Sequence, residues 1–195
     1  MDCWGKSIPP SIQPSITLLP PDMEEAVPFA GREYFILLAL MLFSRGSDFL
    51  STWIATPNLV LEGNPLAKKM GWKLGVIVNL ALCLSFALFP MMAIIISTTS
   101  VLVAARNFQQ AWLMRTLGEE DYRDWHVTRL VEAHLGLYLF CLAAQTVLFG
   151  MVGGALVYFS RSEIPFAIGL GIVAYAITVL FYTLLSVWRI RRKTG

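Results

Sequence analysis

Long apolar stretches separated by polar segments set the pattern of this chain of 195 residues. The first runs from about Tyr34 to Ala55, the second from Leu74 to Ala105, the third from Leu130 to Phe159 and the fourth from Pro165 to Ile190. Each exceeds the roughly 20 residues that a helix needs to cross ~30 Å of hydrocarbon. Unbroken runs of this length read as helices, because a bilayer offers no water to unpaired backbone groups. Barrel strands would instead be short and alternating. The pattern predicts an all-α polytopic membrane protein with four transmembrane helices, over 34–55, 74–105, 130–159 and 165–190. The second run is longer than one crossing requires, which predicts a tilted or protruding helix with a kink at Pro90.

The segment 106–129 is polar but keeps helical spacing, with Phe108, Ala111, Trp112 and Met114 set among Gln and Arg. Gly118 is a stop signal, and Glu119, Glu120 and Asp121 suit the positive end of a following helix. Helices 2 and 3 are therefore expected to extend into a cytoplasmic hairpin with its tip near Gly118. Helices lying on the membrane surface are the alternative. Residues 1–32 form a proline-rich arm holding Pro9, Pro10, Pro14, Pro20, Pro21 and Pro28, where a regular helix is disfavoured. The division is thus an arm over 1–32 and a four-helix transmembrane domain over 33–195.

Composition agrees. Hydrophobic residues make up 56% of the chain and charged residues 14%, against roughly 25% charged in a soluble domain. A net charge of +2 gives no reason to expect a nucleic-acid partner. Cys3, Cys83 and Cys141 are far apart, without CxxC spacing, so neither a disulfide framework nor a zinc cluster is expected. No metal or cofactor is predicted. The first 31 residues lack the pattern of a secretory signal. Four crossings place both termini on one side. That side then carries Lys6, Arg32, Arg106, Arg115, Arg123, Arg129, Arg189, Arg191, Arg192 and Lys193, against Lys68, Lys69, Lys73 and Arg161 on the other. The imbalance predicts both termini in the cytoplasm.

Ionisable groups inside a span mark candidate chemistry. On the first helix Ser44, Asp48, Ser51 and Thr52 share a face, and Arg45 stands three residues before Asp48, close enough to pair. The cluster reads either as a hydrogen-bonded latch to another helix, which is favoured, or as an ion, proton or solute site. Glu62-Gly63-Asn64-Pro65 follows, a helix-start signal with Asn64 as cap and Pro65 in the first turn. The combination Asp48-x-x-Ser51-Thr52 with Glu62-x-Asn64-Pro65 resembles a family of small prokaryotic integral membrane proteins whose function is not established. That resemblance covers roughly residues 34–105. It implies a prokaryotic inner membrane as the location and one outer-face cluster of Asp48, Thr52, Glu62, Asn64 and Pro65, and it carries no activity with it.

On the third run His134, Tyr138, Cys141 and Gln145 fall on one stripe. His134 is a possible cofactor or proton site, with an inter-helix hydrogen bond as the favoured reading. His126, eight residues earlier on the same expected helix, lies ~12 Å away along the axis, too far to share one metal. Four crossings also place Asp48 and His134 toward opposite faces. Glu119-Glu120 reads as a solvated helix start, and Gly150-x-x-x-Gly154, with Gly153, Gly169 and Gly171, as helix packing. These features together predict a non-catalytic membrane subunit or scaffold, with the lipid bilayer and other membrane subunits as partners. A small ion or solute transporter using Asp48 and Arg45 is the alternative. An intramembrane hydrolase using Asp48 and Glu62 ranks behind both.

Overall fold

The computed structural model describes residues 26–61 and 65–194, which form six α-helices and no strand. They are α1 (Arg32–Ala55), α2 (Pro65–Phe86), α3 (Pro90–Leu117), α4 (Glu119–Glu132), α5 (Leu135–Phe159) and α6 (Glu163–Thr194). All but α4 are long and apolar enough to cross a membrane.

The main difference from expectation lies in the second apolar run. Residues 74–105 are not one helix. The chain leaves α2 at Phe86 and turns over Ala87, Leu88 and Phe89, with Phe89 N donating to Phe86 O at 3.0 Å. Pro90 then opens α3 at its first position. Proline has no N–H to offer the preceding turn but fits the start of a helix, where that donor would be unpaired anyway. A residue expected to kink one helix therefore begins another.

The direction of the chain reverses at this turn. Tyr34 at the start of α1 donates to Leu84 O near the end of α2, at 3.3 Å. Trp72 near the start of α2 donates to Pro57 O beyond the end of α1, at 2.8 Å. Hence α2 runs antiparallel to α1, and α3 runs parallel to α1. One long apolar helix more than expected puts Arg32 and Thr194 at opposite ends of the bundle. It also brings the end of α1, the whole of α4 and the end of α6 to one shared end.

The α1–α3 pairing follows a seam. Along α1 the inward positions are Tyr34, Leu37, Met41, Ser44, Asp48, Ser51 and Ala55, in alternating steps of three and four. Along α3 they are Ala93, Ser97, Ser100, Ala104, Asn107 and Ala111, in steps of four and three. Met41 packs on Ala93 beside Cys83, in one buried cluster. Alternating steps of this kind keep one stripe facing a partner, and small residues let backbones approach where lipid supplies no hydrophobic drive. The outward side of α1 shows Phe35, Ile36, Leu42, Phe43, Leu50 and Trp53, the surface expected against lipid.

The remaining order is α3 on α6 and α6 on α5. Glycines set both approaches. A Cβ on Gly153 would sit 2.8 Å from Gly169 O, and one on Gly169 the same distance from Gly153 O. A Cβ on Gly171 would meet Thr98 Cβ at 2.7 Å and Ile95 O at 3.0 Å. Gly150 and Gly154, the pair in GxxxG spacing, face open space instead. The packing residue of that segment is the neighbouring Gly153.

The third run is also divided. It breaks at Ala133 and His134, which are extended, so α4 ends before α5 begins. His126 and His134 thus lie on different segments. The expected hairpin is replaced by a helix across the bundle end. Gly118, at φ 85°, turns the chain out of α3. Glu119 at the start of α4 is bonded to the segment after α1, while Arg191 of α6 donates to Leu130 O and Ala133 O at the far end of α4.

Gly169→Ala and Gly171→Ala should each lower stability by about 1–3 kcal/mol, since an added methyl there meets backbone or a branched side chain. Gly154→Ala should be neutral. Thermal unfolding of the three variants in one detergent checks this, and an equal loss from Gly154→Ala would contradict the packing described.

Candidate functional site

Arg45 is the hub of the polar interior. Its Nε donates to Asn79 Oδ1 of α2 at 2.8 Å, and Nη2 donates to the same oxygen. Its Nη1 donates to Asp48 Oδ2 at 3.1 Å and to Ser100 Oγ of α3 at 3.2 Å. One guanidinium thereby joins three helices. The fixed fork of donors suits this, because arginine can address several directions at once. Asn79 is held in turn by its Nδ2 donating to Gly75 O at 2.9 Å. The Arg45 and Asp48 side chains keep 27% and 17% of their surface exposed. The ion pair is therefore partly wet, and some of its desolvation cost is avoided.

The rest of the α1 stripe faces α3. Ser44 and Ser51 are fully buried, and each donates back to its own helix, to Met41 O and Asp48 O. Asn107 Nδ2 reaches Ser51 Oγ and Thr52 Oγ1 at 3.4 Å each, long contacts that span α1 and α3. Arg45, Asp48, Ser51 and Thr52 are thus brought together. Pro65 opens α2, while Glu62 and Asn64 lie outside the described residues.

A cavity of about 640 Å³ lies between α1, α2, α3 and α6. Arg45, Asp48, Thr52, Asn79, Ser100, Asn107, Thr178 and Tyr182 give it polar walls, and Phe49, Leu59, Leu61, Met70, Val78, Leu82 and Val103 line it with apolar surface. Arg45 and Asp48 are the charged groups of the lining among the described residues. Their charges cancel.

His134 stands apart from this cavity. It precedes α5, its side chain is exposed, and it makes no side-chain hydrogen bond among the described residues, so the expected inter-helix bond is not formed. Its ring lies near Gly136. Tyr138 and Gln145 are half-buried and Cys141 is exposed. His134 and Asp48 do not fall toward opposite ends. The additional long helix brings the α1 end that carries Asp48 to the same end as α4 and the start of α5.

Glu119 is the functional-looking group that sequence reasoning missed, having read it as a solvated helix start. Its Oε2 accepts from Thr56 Oγ1 at 2.6 Å and from Val60 N at 3.0 Å. Its Oε1 accepts from Asn58 N at 2.9 Å and from Asn58 Nδ2 at 3.0 Å. Burial pushes this carboxyl up, but the bonds from Thr56, Asn58 and Val60 outweigh it and leave the pKa below the ordinary carboxylate value. A depressed pKa means that the ionised form is stabilised by the fold. That contribution is present in full above the ordinary carboxylate range and is lost as pH falls through the depressed value. Glu120 and Asp121, its neighbours, are exposed.

Asn79, Ser100, Asn107 and Trp72 were likewise not singled out. Asn79 had a readable signal, a lone amide within an apolar run. Ser100 and Asn107 had one too, recurring on the same face of α3 seven residues apart. No family model, no curated protein and no solved structure matches this chain. Among the described residues no group of three His, Cys, Asp or Glu side chains could hold a metal ion.

Proposed function

We propose that this is a five-span integral membrane protein that binds a small solute without net charge in the cavity beside Arg45 and Asp48, in the manner of a transporter. The observation that carries this reading is the cavity itself, about 640 Å³ with a charge-balanced polar wall and otherwise apolar lining. That volume lies within the roughly 300–1,000 Å³ of small-molecule sites, and an apolar pocket with a few convergent polar groups is the usual form of one. Ionisable groups retained inside a span point the same way. A solute carrying one charge would leave that charge without a free counter-charge in the lining. A zwitterion or neutral polar molecule meets the guanidinium and the carboxylate together.

The subunit reading has less to rest on. Its arm lies largely outside the described residues, and its hairpin gives way to α4. Of the two carboxylates of the hydrolase reading, Asp48 is already bonded to Arg45 and Glu62 lies outside the described residues.

Five crossings change the charge count. The end shared by the α1–α2 connection, α4 and the α6 tail holds Lys68, Lys69, Lys73, Arg106, Arg115, Arg123, Arg129, Arg189, Arg191, Arg192 and Lys193. The other end holds Arg32 and Arg161, and Lys6 belongs by sequence to the arm that leads into Arg32. Eleven against three is a stronger bias than four crossings gave, and it supports a cytoplasmic C-terminus with the N-terminal arm outside. Exposed Trp112, Trp125 and Trp188 toward the basic end suit a membrane–water interface.

Two experiments test the proposal. In intact cells an impermeant thiol reagent should label Cys3 and not Asp124→Cys, with the other cysteines replaced; the reverse pattern contradicts the orientation. In a thermal-shift series with size-matched probes, leucine should stabilise the protein while isocaproate and isoamylamine do not, as ligand binding to the folded state alone raises stability. Asp48→Asn should extend the response to isocaproate. No shift with any probe, or no discrimination among them, contradicts solute binding of this kind.

A further inference from the structure

The segment joining α1 to α2 forms the cavity wall at the α4 end. Thr56, Leu59 and Leu61 line it there, with Met70, Gly71 and Trp72 from the start of α2. Three features make this wall separable from the bundle. Leu59 has φ 57°, a left-handed conformation that costs a branched aliphatic residue energy and persists only where neighbours hold it. Gly71 interrupts α2 at φ 66° with open space around its Cα, so the first turn of α2 is set off from the span. The other bonds are few: Thr56 N to Thr52 O at the end of α1, Trp72 Nε1 to Pro57 O, and two within the segment, from Leu59 N to Thr56 O and from Leu61 N to Thr56 Oγ1.

The main tie comes from outside. All four bonds of the Glu119 carboxylate go to Thr56, Asn58 and Val60. We propose that residues 56–61 are a lid on the cavity, held closed by Glu119, so that α4 governs entry from its end of the bundle. The inference rests on reading the cavity as a binding site. It adds the control of access to that site, through a helix that lies outside the membrane-spanning set.

Charge-assisted bonds are the stronger ones in such a clasp. Neutralising Glu119 removes the charge and half-mismatches its acceptors, while leaving the side chain's shape. The groups facing Glu119 are Glu120 and Asp121 on α4 and Arg115 on α3, all around the same surface depression, with no titratable side chain in 56–61. Acid then acts on the clasp chiefly through Glu119 itself, opening the lid as pH falls below the ordinary carboxylate range.

The test is thiol accessibility in full-length protein reconstituted in nanodiscs. Val103→Cys, on the cavity wall of α3, is the reporter in a background free of other cysteines, and the probe is a charged methanethiosulfonate reagent. Glu119→Gln should raise the labelling rate about tenfold. Thr56→Val, which removes one bond to Glu119 together with the bond from Leu61 N, and Asn58→Ala, which removes one bond to Glu119, should raise it by smaller steps, and Glu120→Gln should leave it unchanged. The ratio of Glu119→Gln to wild-type rates should fall toward one as the pH is lowered. The Thr56 and Asn58 variants keep the test decisive should Glu119→Gln fold poorly. Equal rates in wild type, Thr56→Val, Asn58→Ala and Glu119→Gln, or no labelling in any of them, would overturn the lid. Labelling needs no solute, so a failure here is distinct from a failure of the probe series above.

Discussion

The parallel contact of α1 with α3 is the constraint from which the rest of the architecture follows. Lipid gives helices no hydrophobic reason to associate, so the contact depends on close approach and on hydrogen bonds. Ala93, Ser97, Ser100, Ala104 and Ala111 provide the close approach along α3, and Ser44, Ser51 and Ala55 provide it along α1. Two helices that are not consecutive can run parallel only if the chain between them crosses back. That return is α2, and it makes the number of long apolar helices odd. Everything then falls into place by ends: the α1–α2 connection, α4 and the tail of α6 share one, and Arg32 and the α2–α3 turn share the other.

Arg45 links this packing to chemistry. A guanidinium inside a span is expensive unless its donors are met. Here they are met by Asn79, Asp48 and Ser100, each on a different helix. Because α2 is pinned at its ends and through Asn79, and packs little on α1 or α3 otherwise, room remains between it and the bundle. The cavity is the space left by a helix held by polar contacts in place of a packed seam. At the basic end Glu119 ties down the α1–α2 connection that forms the cavity wall there. The same acidic turn that favours the N-terminus of α4 electrostatically also supplies acceptors to a connection that would otherwise leave N–H groups of Asn58 and Val60 unpaired.

Much of this was legible before any coordinates. Continuous apolar runs gave helices and a membrane, Gly118 and the acidic triplet gave the α3–α4 boundary, and the spacing of Arg45 and Asp48 gave their pairing. The α2–α3 turn was not legible, for a physical reason. Phe86, Ala87, Leu88 and Phe89 are as apolar as the helices they join, so hydropathy does not dip where the chain reverses. Proline was the single clue, and locally a kink and a helix start look alike. The split of this run then matters elsewhere, because the number of long helices decides which ends meet. Asn79 against Arg45 and Glu119 against Asn58 are contacts over 34 and 61 residues, which no local pattern encodes. The choice of Gly153 over Gly150 and Gly154 likewise depends on the rotation of α5 against α6, a property of the pair.

The direction of α3 relative to α1 is the central claim, and paired cysteines read it directly. In native membranes, with other cysteines replaced, Ser51→Cys with Asn107→Cys should form a disulfide under mild oxidation. Leu37→Cys with Asn107→Cys should not. A single unbroken helix over 74–105 would bring residue 107 back toward the start of α1. Cross-linking of the 37–107 pair without the 51–107 pair would therefore contradict the account.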